Sequence, residues 1–412
     1  MSLIVQKFGG TSLGDVDRIR LVARRIVDTR KAGHDVVVVV SAMAGETDHL
    51  VELAHAISPD PDPREYDVLV STGEQKTIAL VSMAVQALGV PARSFTGGQV
   101  RVRTDAAHTR ARIQTIDTAP IREELARGTI VIVAGFQGTD EDGNITTLGR
   151  GGSDTSAVAV AAAVGADLCE IYSDVEGVFT SDPNVVPTAR KLERVAYDEM
   201  LEMASLGAKV LQIRAVKFAK QYGIPLHVRS TFSEQEGTLV VAEDDIMEKL
   251  VVSGVTYNRG EAKVTIFGVP DTPGVAARIF SPLSEAGIVV DVIVQNVSHQ
   301  GHTDVTFTVP RTEISRVLPL AQGLAKKLDA AGVTSDDSIS KISVVGLGMR
   351  DHAGVAGQMF SVLSDEGINI QMINTSEIKI SVVIEEKYTE LACRALHEAF
   401  GLGEQAPAPE EL

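Results

Sequence analysis

Four glycine-bearing loops in the first half of the sequence carry the polar side chains best suited to chemistry. They read KFGGTS at 7–12, SAMAGET at 41–47, STGE at 71–74 and GRGGSDT at 149–155. Glycines after a strand let the backbone approach a ligand closely, and helix N-termini offer free N–H groups and a positive dipole end. Together the loops indicate a site for phosphate groups that needs few basic side chains.

Other interpretations of these loops remain open at this stage. A single glycine pair after a strand is commonly a structural turn, and Ser153 and Asp154 could simply cap the alanine-rich helix that follows them. A dinucleotide-binding loop is disfavoured, because the first loop lacks the GxGxxG spacing and no acidic residue closes a second strand at the expected distance. The prediction of a phosphate-binding site therefore depends on the combination of the four loops.

Charge and composition limit the classes of partner. The chain has 412 residues and a formal net charge of −17, so its surface would repel nucleic acid and anionic membranes except where basic groups gather. Cys169 and Cys393 show no metal-ligand spacing, and we expect two packed thiols in a reducing cytoplasm. We see no signal peptide and no apolar run long enough to span a membrane.

The elements that must position these loops follow an α/β pattern. Apolar runs at 3–5, 36–40, 130–133 and 168–172 are typical of buried strands, and each is followed by a loop and a helix-length stretch. Such units predict a mostly parallel sheet between helices, with ligands at the carboxyl ends of the strands. We assign residues 1–245 to this domain.

The second half of the sequence contains a repeat. Residues 264–288 align without a gap to 344–368, an offset of 80, and each copy shows an Asp-x-x-Gly turn after its first strand. The pattern predicts two small ferredoxin-like α/β modules at 262–333 and 340–404.

The motifs resemble those of aspartokinases, in the same order along nearly the whole chain. The matching segments are KFGGTS, SAMAGET, STGE, LGRGGSDTSA, YSDVEGVFTSDP from Tyr172 and GAKVLQIRAV around Lys209. The first half resembles the amino-acid kinase fold, and the paired repeats resemble the ACT modules with which such enzymes sense amino acids. The resemblance implies transfer of the γ-phosphoryl group of ATP to the side-chain carboxylate of L-aspartate, in the biosynthesis of lysine, threonine and methionine.

The resemblance also implies roles for individual residues. Lys7 and Asp154 would be catalytic, and Asp154 would either orient Lys7 or accompany the Mg²⁺ carried by ATP. The expected nucleotide-binding residues are Lys7, Gly9, Gly10, Ser12, Ser173, Asp174, Phe179, Ser181, Asp182, Pro183, Lys209 and Val210. For aspartate, Glu74 would pair with the ammonium group and Arg150 with the α-carboxylate, alongside Ser41, Thr47, Gly151, Gly152 and Ser153.

The repeats are expected to bind feedback effectors, lysine and threonine being the candidates. The candidate effector residues are Asp271, Val289, Val290, Asp291, Gln295 and Asn296 in the first copy and Asn374, Thr375 and Ser376 in the second. Asp271 could instead cap the next helix, and Asp291 could be a solvated strand residue. We expect a homo-oligomer formed through the modules, and Met247 raises the possibility of an internally started regulatory subunit.

Two alternative functions remain at the level of sequence. One is another amino-acid kinase, such as a glutamate or acetylglutamate kinase, whose substrate differs in the position of the attacking carboxylate. The other is an amino-acid sensor whose kinase half is catalytically silent, although Lys7, Glu74, Arg150 and Asp154 are all intact.

Overall fold

A computed structural model describes residues 2–206, 210–245, 251–296, 301–352 and 354–403. Lys209 and Met247 lie outside the described residues. The chain divides into two compact units. Among described residues, the first unit contains 2–178, 191–205 and 210–245, and the second contains 179–190, 206 and 251–403. Residues 179–190 thus pack with the second unit, although the sequence places them in the first domain.

The first unit contains strands β1 to β12 and helices α1 to α8. The strands are β1 (Leu3–Phe8), β2 (Asp35–Val40), β3 (Ala92–Phe95), β4 (Val102–Thr104), β5 (Ile113–Ile116), β6 (Ile130–Ala134), β7 (Gln137–Thr139), β8 (Ile145–Thr147), β9 (Leu168–Ser173), β10 (Arg194–Ala196), β11 (Leu226–Ser230) and β12 (Thr238–Val241). The helices are α1 (Val16–Lys31), α2 (Glu46–Ile57), α3 (Pro63–Val70), α4 (Thr72–Ala87), α5 (Ala119–Ala126), α6 (Gly152–Val164), α7 (Tyr197–Ser205) and α8 (Ile213–Tyr222).

The main sheet has the strand order β10-β12-β11-β9-β1-β2-β6-β3. All of its pairs are parallel except β11 with β12, which confirms the predicted mostly parallel sheet. The valines of β2 are fully buried, as expected for a central strand covered on both faces. A smaller sheet, β5-β4-β7-β8, lies beside the loop that carries Arg150.

Helices cover both faces of the main sheet. Phe8 packs into a core with α1 and α4, which includes Ile26 and Val81. Since neighbouring strand residues point to opposite faces, Lys7 points away from that core and meets α6. The alternation of β1 therefore brings the candidate lysine onto the helix that follows the GRGGSDT loop.

The second unit contains the strands β13 to β20 and the helices α9 to α12. The strands are β13 (Gly254–Asn258), β14 (Glu261–Pro270), β15 (Ile293–Gln295), β16 (His302–Pro310), β17 (Gly332–Asp336), β18 (Ile339–Val345), β19 (Met372–Thr375) and β20 (Lys379–Glu385). The helices are α9 (Val275–Glu285), α10 (Ile314–Lys327), α11 (Val355–Asp365) and α12 (Thr389–Ala399).

The two copies of the repeat form two four-stranded antiparallel sheets. The first has the order β15-β16-β14-β17, and the second has the order β13-β18-β20-β19. Strand β13 precedes the first copy in the chain but pairs with β18 of the second. The second sheet is thus completed by a strand outside both ranges that the sequence predicts for the modules.

Two further features follow from the described residues. No helix among them combines the length and the apolar character needed to cross a membrane. Cys169 and Cys393 are both buried free thiols, in agreement with their expected role as packing residues.

Candidate active site

The glycine pair after β1 permits close backbone contacts. A Cβ atom on Gly10 would lie 3.0 Å from the carbonyl oxygen of Ala42, and one on Gly9 would lie 3.3 Å from Lys7 Nζ. The Gly9 N–H donates to the carbonyl of Tyr172 at 3.2 Å. Gly9, one of the expected nucleotide-binding residues, therefore already uses its N–H donor within the protein.

Lys7 and Asp154 form a buried ion pair. Lys7 Nζ lies 2.6 Å from Asp154 Oδ1, and about a tenth of each side chain is exposed. Asp154 lies in the first turn of α6, so its carboxylate sits near the positive end of the helix dipole. The N-cap of α6 is Gly151, in the left-handed region with φ 72°, and no side chain caps the helix. Capping by Ser153 or Asp154 is therefore ruled out.

The SAMAGET loop connects the end of β2 to Glu74. The Ser41 N–H donates to the carbonyl of Phe8 at 3.1 Å, which holds the loop against the end of β1. The Ala42 N–H donates to Glu74 Oε1 at 3.0 Å. Thr47 is half-buried in the first turn of α2. Ser41 thus lies at the end of β2, whereas Thr47 and Glu74 lie in the first turns of α2 and α4.

Glu74 is a buried carboxylate with an unused acceptor. Its side chain is 3% exposed, and Oε2 has no hydrogen-bond partner among the described residues. Burial raises the pKa of Glu74 to about 7, and the hydrogen bonds from the backbone N–H groups of Ala42 and of Glu74 itself only partly oppose this. Such an unpaired buried oxygen is suited to accept a hydrogen bond from a cationic group of a ligand.

The GRGGSDT loop is tightly packed except for its arginine. A Cβ on Gly151 would overlap the Gln212 side chain at 2.1 Å, and one on Gly152 would meet the Phe136 ring at 2.8 Å. Ser153 is buried beside Gly135, where a Cβ would lie 3.0 Å from the serine hydroxyl. Arg150 is exposed and makes no hydrogen bond or ion pair with another described residue. The loop backbone is fixed while the guanidinium faces solvent.

The ends of β9 and β11 extend the site along the sheet. The Ser12 and Thr231 hydroxyl groups lie 2.6 Å apart and are buried. The Thr231 N–H donates to the Ser173 carbonyl at 2.8 Å. Asp174 follows Ser173 and is exposed. Thr231 thus connects Ser12 to Ser173, and Asp174 follows directly in the chain; all three of these residues are expected at the nucleotide.

Four other expected nucleotide residues lie in the segment that packs with the second unit. Asp182 Oδ2 accepts a hydrogen bond from the Tyr257 hydroxyl at 2.9 Å. The Ser181 hydroxyl is buried without a partner among the described residues, while Phe179 is half-buried and Pro183 exposed. Val210 is half-buried in a turn of the first unit, and Lys209 lies outside the described residues.

Except for Asp271, which follows the interior strand β14, the expected effector residues of the first repeat lie in or close to the edge strand β15. Gln295 ends the edge strand β15, and Val289 is 70% exposed. The Asn296 carbonyl accepts a hydrogen bond from Thr303 at 2.6 Å, whereas Val290 packs partly against the core of the module. The N-cap of α9 is Gly274, so the alternative that Asp271 caps this helix is wrong.

Asp291 is exposed to solvent and also pairs with the other repeat. Its carboxylate accepts a hydrogen bond from Lys341, which also lies 2.5 Å from Glu261. Gln371, at the matching position of the second copy, accepts from Lys263. Asn374, Thr375 and Ser376 lie in or next to the edge strand β19. The two candidate effector regions therefore differ in charge.

Three contact residues of the site were missed at the level of sequence. The Thr231 hydroxyl is hydrogen-bonded to Ser12, and the Gln212 side chain packs against Gly151. The buried Asp67 carboxylate accepts a hydrogen bond from Thr147, in the strand before the Arg150 loop. Thr231 and Gln212 carry no local signal, because their contacts join distant segments. Asp67 does carry one: a carboxylate among apolar residues in YDVLV indicates a buried group with partners.

No group of three or more His, Cys, Asp or Glu side chains suited to a metal ion occurs in the described part of the chain. Asp154 is the carboxylate next to Lys7. This donor set suits Mg²⁺ that arrives with a nucleotide, since Mg²⁺ commonly keeps several waters and binds one or two carboxylates plus substrate phosphates.

Comparison with known proteins places this geometry in a family. Residues 2–230 match the amino acid kinase family, and residues 263–325 and 342–400 each match an ACT domain. The chain is 60% identical over 411 residues to an aspartate kinase of Pseudomonas fluorescens (strain SBW25), covering 99% of both chains.

Two solved structures of E. coli aspartokinase III have a similar fold. The first, in complex with aspartate and ADP in the R-state, has a TM-score of 0.81 and 26% identity, covering 96% of this chain and 99% of that one. The second, in complex with lysine and aspartate in the T-state, has a TM-score of 0.76 and 27% identity, covering 97% of this chain and 99% of that one. The chain belongs to the amino acid kinase family and, within it, to the aspartokinases, the ATP-dependent kinases of aspartate.

Proposed function

We propose that the residues around the Lys7–Asp154 pair carry the aspartate kinase activity of this chain. The supporting observation is that this buried pair lies where the loops after β1, β2 and β9 and the N-terminus of α6 meet. Carboxyl ends of parallel strands are the usual place for ligands in such sheets.

The reaction needs no general base. The side-chain carboxyl of aspartate has a pKa of about 3.9, so its oxygen is already an anionic nucleophile at neutral pH. This oxygen forms a bond to the γ-phosphorus of ATP, the bond from that phosphorus to the β–γ bridging oxygen breaks, and ADP leaves with the electron pair. The obstacle is the approach of two anions, so positive charge and positioning must supply the catalysis.

Lys7 would supply the positive charge that the approach of two anions requires. Its ammonium would stabilise charge on the β- and γ-phosphates, and Asp154 would hold the ammonium in place through the 2.6 Å contact. Gly10 would contribute an N–H donor, while Gly9 would contribute space beside the lysine. Magnesium bound with ATP would supply further positive charge to the phosphates, and Asp154 is the side chain placed to contact its shell.

Aspartate would be held at its two ends by Glu74 and Arg150. The unpaired Oε2 of Glu74 suits the substrate ammonium, and the exposed guanidinium of Arg150 suits bidentate contact with the α-carboxylate. Ser41, Thr47 and Ser153 would add neutral hydrogen bonds, and Gly151 and Gly152 would allow the loop backbone to approach the substrate.

The nucleotide would extend from Lys7 toward the end of β9. Ser12, Ser173 and Asp174 line this direction, and Val210 and Lys209 remain assigned to it by the family resemblance. Phe179, Ser181, Asp182 and Pro183 remain assigned to the nucleotide by the family resemblance alone. A cytoplasmic location agrees with the use of ATP and with the two free thiols.

The repeats would act as the feedback sensor. E. coli aspartokinase III, which has the same fold, has been solved with lysine, and we propose lysine or threonine as effectors here. Asp271, Asp291 and Gln295 of the first copy would meet the effector, with Asn374 and Thr375 at the corresponding region of the second. Oligomerisation through the exposed edge strands β15 and β19, with or without a separate regulatory subunit, would complete these sites.

An ATP-consumption assay tests the proposal. We expect turnover with L-aspartate and Mg²⁺, at least about 100-fold less kcat/KM with L-glutamate or N-acetylglutamate, and inhibition by lysine, threonine or both. Preference for either longer substrate would indicate the alternative kinase. Absence of turnover with all three substrates, together with binding of lysine or threonine, would indicate a silent sensor.

A further inference from the structure

Asp67 of α3 is a fully buried carboxylate with partners on two other segments. Its Oδ2 accepts hydrogen bonds from the N–H groups of Thr109 and Thr147, both at 3.0 Å, and lies 2.9 Å from His108 Nδ1. Its Oδ1 accepts from the Thr147 hydroxyl at 2.5 Å. A buried carboxylate is costly unless such donors surround it, so this set of contacts fixes all three segments relative to one another.

The hydrogen-bond partners of Asp67 are adjacent to the Arg150 loop, either in sequence or by direct contact. Thr147 is the last residue of β8, three positions before Arg150. The Thr109 carbonyl lies 2.9 Å from the position that a Cβ on Gly149 would take. The Thr147 carbonyl also accepts the Ala111 N–H at 2.9 Å. Asp67 therefore holds in place the two segments, around Thr109 and Thr147, that contact the Arg150 loop.

The helix that carries Asp67 is followed almost immediately by the helix that carries Glu74. Helix α3 ends at Val70, and the Ser71 N–H donates to the Asp67 carbonyl at 3.1 Å. Helix α4 then begins at Thr72 and presents Glu74 in its first turn. Gln137 donates to the Ser71 carbonyl at 2.9 Å and holds this turn against β7.

We propose that Asp67 is a positioning residue for the amino acid substrate, because it sets the separation between Glu74 and Arg150. The inference rests on the proposed function, which assigns these two groups to the ammonium and the α-carboxylate. A shift of about 1 Å between the two anchors would misplace the attacking carboxylate. Asp67 has no hydrogen bond to Gly9, Gly10, Ser12 or Ser173 in the described structure, so we expect ATP binding to depend on it less than aspartate binding does.

Steady-state kinetics of Asp67→Asn test this role. The amide keeps the size of the side chain but turns an NH₂ donor toward groups that are themselves donors. We expect the KM for aspartate to rise about tenfold or more while the KM for ATP stays within about twofold. Thr147→Val, which removes only the hydroxyl donor, should raise the KM for aspartate about threefold.

The matched control is Thr104→Val in the same small sheet. This change removes the buried 2.6 Å contact between the hydroxyls of Thr104 and Thr146, which does not touch the Arg150 loop. It should lower thermal stability but leave the KM for aspartate within about twofold. If Asp67→Asn does not fold, Thr147→Val decides by comparison with this control.

The proposal is overturned if Asp67→Asn raises the KM for aspartate no more than Thr104→Val does, or raises the KM for ATP in parallel. Arg150→Ala and Glu74→Gln are measured beside it. If neither of these changes the KM for aspartate, the proposed substrate site itself fails. If both raise it and Asp67→Asn does not, only the positioning role of Asp67 is lost.

Discussion

The candidate catalytic residues and the candidate effector residues differ in how far one chain completes them. Lys7, Glu74 and Asp154 are each less than a tenth exposed, and each has a hydrogen bond or ion pair within the first unit. Val289 and Gln295 of the second unit lie exposed on or beside an edge strand. Edge strands present unpaired backbone groups that readily accept another strand.

Because of this difference, we expect each site to be altered by mutation without loss of the other. Chemistry between two anions requires groups that are fixed before the substrate binds, and burial of an ion pair provides that fixed position. An effector site must respond to a ligand, and an exposed strand edge allows its partner groups to be exchanged. Catalysis and regulation should therefore respond to different substitutions.

Lys7→Ala should have the largest effect. Loss of the ammonium leaves the Asp154 carboxylate without its partner, and in the proposed site this uncompensated charge would face the phosphoryl group. We expect kcat to fall about 10²- to 10³-fold, a barrier increase of about 2.7–4 kcal/mol, with a smaller change in ATP affinity. Single-turnover measurements and nucleotide binding give the two quantities. Near-normal turnover in this variant would remove Lys7 from the chemical step.

Arg150→Ala should chiefly impair the use of aspartate. Because the guanidinium is exposed in the absence of substrate, the loss corresponds to a charge-assisted hydrogen bond of about 2 kcal/mol, or about 30-fold in the KM for aspartate. Lys76→Ala, which removes an exposed ion pair with Glu46, is a matched cationic control. A parallel rise in the KM for ATP would reassign Arg150 to the nucleotide.

Much of this architecture is predictable because its signals are local. The apolar run at 36–40 predicts a buried parallel strand, and the offset of 80 residues predicts the two similar modules; both predictions are confirmed. The comparisons likewise confirm the family that the loop motifs indicate. Local apolar spacing and turn residues carry this information because they are set by burial along a single element.

The remainder depends on contacts between distant segments. Strand β13 joins the second sheet rather than the first, and the Gly9 N–H is used by Tyr172. The capping interpretations for Asp154 and Asp271 are wrong because glycines with positive φ occupy the N-cap positions. For Asp154, a capping side chain and an ion-pairing side chain look identical in sequence, because both would follow the same glycine loop.

The pH dependence of aspartate use should reveal the buried carboxylate. With a pKa of about 7, Glu74 becomes neutral as the pH falls, and a neutral carboxyl pairs poorly with the substrate ammonium. We expect kcat/KM for aspartate to fall about tenfold between pH 8 and pH 6 and to level off above about pH 8. The substrate carboxylate remains ionised throughout this range.

Glu74→Gln provides the control for this profile. The amide cannot titrate, so its kcat/KM should be lower but should lose the tenfold slope. Any slope shared by both proteins arises from other groups, such as the γ-phosphate of ATP. An unchanged profile in Glu74→Gln would show that Glu74 does not control aspartate use.

The smallest expected effect concerns the first repeat and leaves basal catalysis intact. Asp291 is bound by Lys341 of the other repeat, and an effector ammonium would compete with that lysine for the carboxylate. Asp291→Ala removes the shared acceptor, so we expect the inhibitory concentration of lysine or threonine to rise about 5- to 20-fold. Turnover without effector should stay within about twofold, because no catalytic residue of the first unit is changed.

The matched control is Glu285→Ala, which replaces an exposed acidic residue at the end of α9 in the same module and should leave inhibition unchanged. If Asp291→Ala and Glu285→Ala shift the inhibitory concentration equally, the effect is one of surface charge and Asp291 is not an effector contact. If Asp291→Ala instead lowers turnover without effector, catalysis and regulation do not separate as the burial of their residues suggests.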